Sequence, residues 1–249
     1  MGKQVSTLKM TGSYAGAVGY IDQQGRVQMR SKTEKYHDAN TKEQKSVRTK
    51  FLAITGLASA FKNTAIGLLP AAKSSRITLR NMFTKTNYRC VSATATQAGD
   101  IEAKTDLTQL QVAKGSNPQV SFGSPQFDEP LTVAVNFAAN TDLPGAAGSD
   151  LVYIVVYNPG DNRCLISTPV RRDVAGGAIS MQVPNAWNGE TVHVYGFSQG
   201  FRSEAERVKY LSVFNDAAID GGEAKAELSM LAAGTEFSDS HYIGNGTIS

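Results

Sequence analysis

The chain is poor in the residues that most often carry chemistry. Its 249 residues include two cysteines and three histidines. Cys90 and Cys164 are too few and too far apart for a disulfide framework or a zinc site, so both are expected as reduced, buried thiols. His37, His193 and His241 show no H-x-x-x-H or Cys/His ligand spacing, which gives no reason to expect a metal or any other cofactor. No G-x-x-x-x-G-K-S/T loop is present, so nucleotide hydrolysis has no support. No apolar stretch approaches the roughly 18 residues of a membrane span. The opening MGKQVSTLKMTGSYAG has no apolar run of signal-peptide length, and the expected setting is the cytoplasm with no membrane partner.

Acidic residues are also scarce in the first third. Residues 1–90 hold 16 Lys and Arg against 4 Asp and Glu, a formal net of +12. Residues 91–249 hold 9 against 18, a net of −9, so the overall +3 is a small difference between opposed parts. Such asymmetry points to a basic segment facing an anionic partner, or to copies of the chain facing one another.

The basic segment has a pattern. AVGYID (17–22) and RVQMRS (26–31) flank a Gln23-Gln24-Gly25 turn and predict a hairpin. A hairpin alone is marginal in water, so this one is either a flap on its own domain or an arm that pairs with a neighbouring subunit. Thr41 and Gln44 have the spacing of a helix capping box. From there Val47, Phe51, Ile54, Ala58, Phe61, Ala65 and Leu68 recur every three or four residues as a core-facing helical stripe, which Pro70 ends. Lys42, Lys45, Arg48, Lys50 and Lys62 lie on the helix as well. With Arg26, Arg30, Lys32 and Lys35, the first four of these make eight basic residues against three acidic ones between Arg26 and Lys50. The bland reading of the lysines is a solvated face; the sharper one is a surface for phosphates or for an acidic neighbouring subunit. A second short basic helix is predicted over Arg76–Tyr88, capped by Ser74 or Ser75.

Beyond Cys90 helical periodicity gives way to alternating Thr, Val, Ala and Gly with frequent turns. Strands are predicted near 100–113, 119–123, 130–138, 151–158, 163–170, 178–183 and 190–198, with a last one near 241–248. Leu131–Phe137 alternates and should have one wet face, whereas Leu151–Tyr157 is apolar throughout and should be central. Arg202–Asn215 and Glu223–Ala233 read as a helical, acidic insertion spanning about 199–236. The expected fold is α+β and mainly β. A basic N-terminal hairpin and helical segment (1–90) precedes an immunoglobulin-like antiparallel β-sandwich (91–249) that carries the insertion.

One motif invites an enzymatic reading. Gly196-Phe-Ser198-Gln-Gly200 fits the G-x-S-x-G pattern of a nucleophile elbow, with Asp216, Asp220, Asp239 and His241 downstream. An elbow needs βαβ units before it, and residues 91–195 show hairpins instead, so a hydrolase is the remote alternative and no catalytic residue is assigned. Tyr153, Tyr157, Trp187, Tyr195 and Phe197 suggest either a glycan platform or, by their alternation, core packing.

Three runs carry a resemblance. The first comprises Gly12, Gly16-Ala-Val-Gly-Tyr20, Gly25, Arg30, Asn40-Thr41, Gln44 and Arg48-Thr-Lys-Phe51. The others are Val155-Val-Tyr-Asn-Pro159 with Trp187-Asn-Gly-Glu-Thr-Val-His-Val-Tyr195, and Ser238-Asp-Ser-His-Tyr-Ile-Gly244. Together they resemble an uncharacterised family of Bacteroidota genomes, their phages and mobile elements. The resemblance covers most of the chain except about 199–236 and supplies no catalytic residues. It implies a basic module followed by a β-sandwich, in a phage or mobile-element setting. The expected function is therefore a self-assembling, non-enzymatic virion subunit, capsid or capsid-associated. Its expected partners are copies of itself, other virion proteins and nucleic acid bound without sequence specificity. A receptor- or glycan-binding module is the alternative.

Overall fold

The computed structural model describes residues 12–14, 16–21, 25–32, 39–61, 78–96, 100–128, 130–220 and 236–248, with side chains outside the description at 12–14, 79 and 214–220. Contacts divide the chain into two compact units, residues 1–42 and 43–249. In the first, β1 (Gly12–Tyr14), β2 (Ala17–Ile21) and β3 (Val27–Ser31) form an antiparallel sheet in that order. The β2–β3 hairpin is the one that the alternation predicts, and Gly25 adopts φ +74°, as a turn glycine can without strain. Three residues are too short to show a period, which is why β1 was not legible.

The second unit begins with α1 (Lys42–Ala60), whose first residue follows Thr41. The next helix, α2 (Leu79–Asn87), starts later than expected: Thr78, not Ser74 or Ser75, is its cap, and its hydroxyl oxygen accepts the Asn81 N–H at 3.2 Å. Arg80 of α2 donates to the Thr55 carbonyl and the Ser59 hydroxyl of α1, each at 3.3 Å. Phe83 stacks on Phe61 with ring centroids 5.5 Å apart. A hairpin of β4 (Val91–Ala95) and β5 (Ile101–Thr105) follows. The single strand expected over 100–113 stops at Thr105, because the Asp106 carboxylate accepts the Thr108 N–H at 3.1 Å and starts a 3-10 turn.

The sandwich occupies the rest. Its strands are β6 (Ser121–Phe122), β7 (Gln126–Asp128), β8 (Thr132–Ala138), β9 (Leu151–Asn158), β10 (Arg163–Ile166), β11 (Val170–Arg171), β12 (Ala178–Gln182) and β13 (Thr191–Gly200). Then come α3 (Glu204–Asp220), β14 (Glu236–Phe237) and β15 (His241–Thr247). Both β6 and β7 pair with β8, whose other edge takes β12; the facing sheet runs β10-β9-β13 with β15 outermost, and β11 continues the β10 side. With β6/β7 and β10/β11 each counted as one broken strand, the sheets read 5-2-1 and 4-3-6-7, an immunoglobulin-like antiparallel sandwich. The fold is thus α+β and mainly β, with the helical insertion between β13 and β14. The first insertion helix extends to Asp220, beyond the expected Asn215; the second, Glu223–Ala233, lies outside the described residues.

All eight residues of β9 are buried, as its unbroken apolar run predicts. Tyr153, Val155 and Tyr157 share one core with Ile54 of α1, Phe61 just after it, Phe83 of α2 and Tyr210 of α3. Val152, Ile154 and Val156 share the other with Val133 and Val135 of β8, Ile179 of β12 and Trp187. Helices therefore cover one face of the β9–β13 sheet and the second sheet covers the other. Burying a large apolar side chain is worth about 1.5–3 kcal/mol, so Ile54, Leu57, Phe61 and Phe83 tie α1 and α2 firmly to the sandwich. The change in texture near Cys90 is a change of secondary structure inside this unit; the division between units falls at Lys42/Glu43.

Candidate interaction surface

The helical stripe is buried only in part. Ile54, Ala58 and Phe61 are in the core, as expected, but Val47 is 57% and Phe51 55% exposed; Leu52, outside the stripe, is 74% exposed. Ala65 and Leu68 lie outside the described residues. At about 100° per residue, Val47 and Phe51 continue the line of Ile54 and Ala58 toward the N-terminus of α1. In that half of the helix the apolar line is exposed rather than buried among the described residues. Lys42, Lys45 and Arg48 are exposed there, and Lys50, turned nearer the core side, is half-buried. Lys62 lies outside the described residues.

The sheet of the first unit shows the same mixture. Successive strand residues point to opposite faces. Arg26 and Lys32, which flank β3, therefore share a face with Gln28 and Arg30, and all three basic side chains are exposed. The opposite face carries Val27 and Met29, with Ile21 across from Val27 and Gly19 across from Met29. Tyr20, Ile21, Val27 and Met29 are all exposed, Met29 at 68%, and none of the described side chains of residues 16–32 is buried. Lys35 lies outside the described residues. The expected basic residues thus form two sets, Arg26, Arg30 and Lys32 on one strand face and Lys42, Lys45, Arg48 and Lys50 on one helix half, each beside exposed apolar side chains. Those apolar companions were missed because their periodicity is that of core residues.

Ser198 sits inside β13, paired with Val152 of β9, and is fully buried. The chain continues as strand through Gly200, so the sharp strand-to-helix turn of an elbow is absent at this serine. Its hydroxyl donates to the Pro118 carbonyl at 3.3 Å and accepts from Asn117 Nδ2 at 3.0 Å. The flanking glycines have packing reasons. A Cβ on Gly196 would lie 2.5 Å from the Phe122 ring, and one on Gly200 would lie 2.9 Å from Asn117 Oδ1. Close approach accounts for both glycines of G-x-S-x-G.

Around Ser198 lies a buried polar network that the sequence did not reveal. The Arg172 guanidinium is fully buried and donates to the carbonyls of Pro118 (2.9 Å), Gln119 (3.2 Å), Asn140 (3.2 Å) and Ala139. It also lies 3.4 Å from Asp150 Oδ2, which accepts the Ala147 N–H at 3.1 Å. These bonds fix the segments before β6 and after β8, so the network is a clamp on the sandwich. Arg171-Arg172-Asp173 reads in sequence as an ordinary surface charge run.

The aromatic residues considered for a glycan platform are all buried: Tyr153, Tyr157, Trp187, Tyr195 and Phe197 belong to the two cores. Among the described residues no three His, Cys, Asp or Glu gather in a metal-binding arrangement. His193 Nδ1 lies 3.2 Å from the Tyr242 hydroxyl, and partial burial lowers its pKa from the usual 6.5. His241 Nε2 lies 2.5 Å from Gln119 Oε1, at a cleft of about 350 Å³ between residues 119–124 and 241–243. His37 lies outside the described residues. Both cysteines are buried thiols, and burial pushes the Cys90 thiol up, away from reactivity. No helix among the described residues is long and apolar enough to cross a membrane.

The chain matches no family model, and no curated protein or solved structure matches it.

Proposed function

We propose that this protein is a non-enzymatic structural subunit that assembles with copies of itself, a virion protein of capsid or capsid-associated type. The observation that carries the reading is the sheet of the first unit: a basic, partly apolar sheet with no buried described side chain, in a chain whose residues 91–249 are acidic. A three-stranded sheet gains its stability from a covered apolar face. Exposed apolar surface joined to charge of one sign is characteristic of an interface. The exposed half of α1 supports the same reading. The virion setting rests on the sequence resemblance, which also implies a phage of Bacteroidota as the source. Cytoplasmic synthesis followed by incorporation into the particle is the matching location.

A second reading of the basic residues follows from their phosphate chemistry. Arg26, Arg30 and Lys32 on one strand face and Lys42, Lys45 and Arg48 on the helix would neutralise packaged nucleic acid without reading its sequence. Negative-stain microscopy of the purified protein at low and high salt, with and without nuclease, tests both. Closed particles or tubes that persist after nuclease support self-assembly. Particles that disappear with nuclease assign the basic surface to nucleic acid. A monomer at every salt concentration overturns the structural-subunit reading.

A further inference from the structure

The assembly reading leaves open where the β1–β3 sheet of one copy would dock. We propose that the open edge of β15, with the cleft beside it, receives β3 of a second copy as an added strand. Three observations on the sandwich point there.

The first is the edge itself. Among the described residues β15 pairs with β13 alone, so its other side presents alternate N–H and C=O groups without a strand beside them. It is seven residues long and has no proline. The competing edges are shorter: β12 has five residues, and β10 has four before Pro169 interrupts that side. Gly244 and Gly246 leave little side chain in the way, and Pro125 and Phe127 lie against them from the second sheet.

The second is the cleft. It runs beside the start of this edge, lined by His241, Tyr242 and Ile243 on one side and Gln119, Phe122 and Ser124 on the other. In strand addition main-chain bonds supply affinity, and pockets for alternate side chains supply selectivity. β3 has five residues and carries Val27 and Met29 two positions apart on one face, both exposed. Its length fits the edge, and its apolar pair matches the spacing at which an added strand would direct side chains toward the cleft.

The third is charge. Asp239 precedes the strand, Asp128 follows Phe127, whose ring lies against Gly246, and Tyr242, whose phenol is raised first by burial, also feels the Asp106 charge. Lys104 and Lys114 are the cations of the same segments, against the three carboxylates of Asp106, Asp128 and Asp239. Arg26, Arg30 and Lys32 on and beside β3 have the complementary sign. Because they alternate with Val27 and Met29, they would stay on the solvated side of the added strand.

Hydrogen exchange on the full chain, read across a concentration series alongside light scattering, tests this. The comparison protein is Val27→Asp/Met29→Asp, whose substitutions replace exposed side chains; its unchanged circular dichroism and unfolding midpoint establish that it folds. The expected result is that outer-edge amides of 241–247 exchange ~10-fold more slowly in the assembled wild type, the order of one added hydrogen bond. That protection should be lost, together with assembly, in the double variant. Assembly with 241–247 unprotected, or equally protected in the variant, overturns the strand addition while leaving self-assembly standing. Protection of 241–247 in a protein that stays monomeric, lost in the variant, overturns the second copy as donor. A monomer with an unprotected edge overturns both proposals.

Discussion

Met29 of β3 stands directly opposite Gly19 of β2, so the most exposed apolar side chain described in this sheet has no side chain across the ladder to cover it. A sheet that buries its apolar face usually fills such a position. Here the neighbouring pair, Val27 opposite Ile21, is exposed too. Among the described residues this apolar face is left exposed.

The sandwich core should not need the first unit. Every buried described residue lies at or after Ile54. Deleting residues 1–41 is therefore expected to leave the thermal midpoint within about 4–8 °C of wild type, the change that ~1 kcal/mol produces in a small domain and an upper bound for this larger one. The readout is differential scanning calorimetry under conditions that keep both proteins monomeric.

Arg172→Met should be severely destabilising. It leaves the Asp150 carboxylate buried without its cation and takes a donor from four carbonyls, of which Pro118 keeps the Ser198 hydroxyl and Asn140 the Leu143 N–H. Breaking a buried pair in this way costs about 3–5 kcal/mol. Urea unfolding, compared with the exposed-site control Arg163→Met, measures it.

At the G-x-S-x-G sequence the expected effects are on stability. Ser198→Ala leaves Asn117 Nδ2 with a weakened set of acceptors and should cost about 1–3 kcal/mol. Gly196→Ala forces the Phe122 ring aside, at a cost of about 1–3 kcal/mol for overpacking. A serine-reactive fluorophosphonate should leave the native protein unlabelled at Ser198, because that side chain is fully buried.

Acid should loosen the start of α3. A hydrogen bond from Arg207 holds Glu204 below its ordinary 4.5, and one from Arg171 holds Asp173 below its ordinary 3.8. Both carboxyls thus have lower pKa values folded than unfolded. Their contribution is fully present above those ordinary values and is lost as pH falls through the folded ones. Both groups are solvent-exposed, so the effect should be modest and should shrink in high salt. Protection factors at Arg207–Tyr210, compared between neutral pH and pH ~3, follow it.

Much of the sandwich was legible because its physics is local. Leu151–Tyr157 announces a strand buried on both faces, Thr132–Ala138 buries Val133, Val135 and Phe137 in alternation, and the turn at Asn158–Asp161 marks a hairpin. Periodicity can show that Val47 and Phe51 lie in line with Ile54, but not that both are exposed. The same gap explains Arg172, whose burial depends on carbonyls 32 to 54 residues away in sequence. It explains Gly196 as well: its partner Phe122 lies on the facing sheet, so the glycine looked like part of a catalytic motif.

The central claim is that the apolar face of β3 drives association between copies. Sedimentation equilibrium of wild type and Met29→Asp over a wide concentration range tests it most directly. The account predicts a mass that rises with concentration in wild type, while the variant stays monomeric with an unchanged unfolding midpoint. Equal masses for the two proteins at every concentration would contradict it.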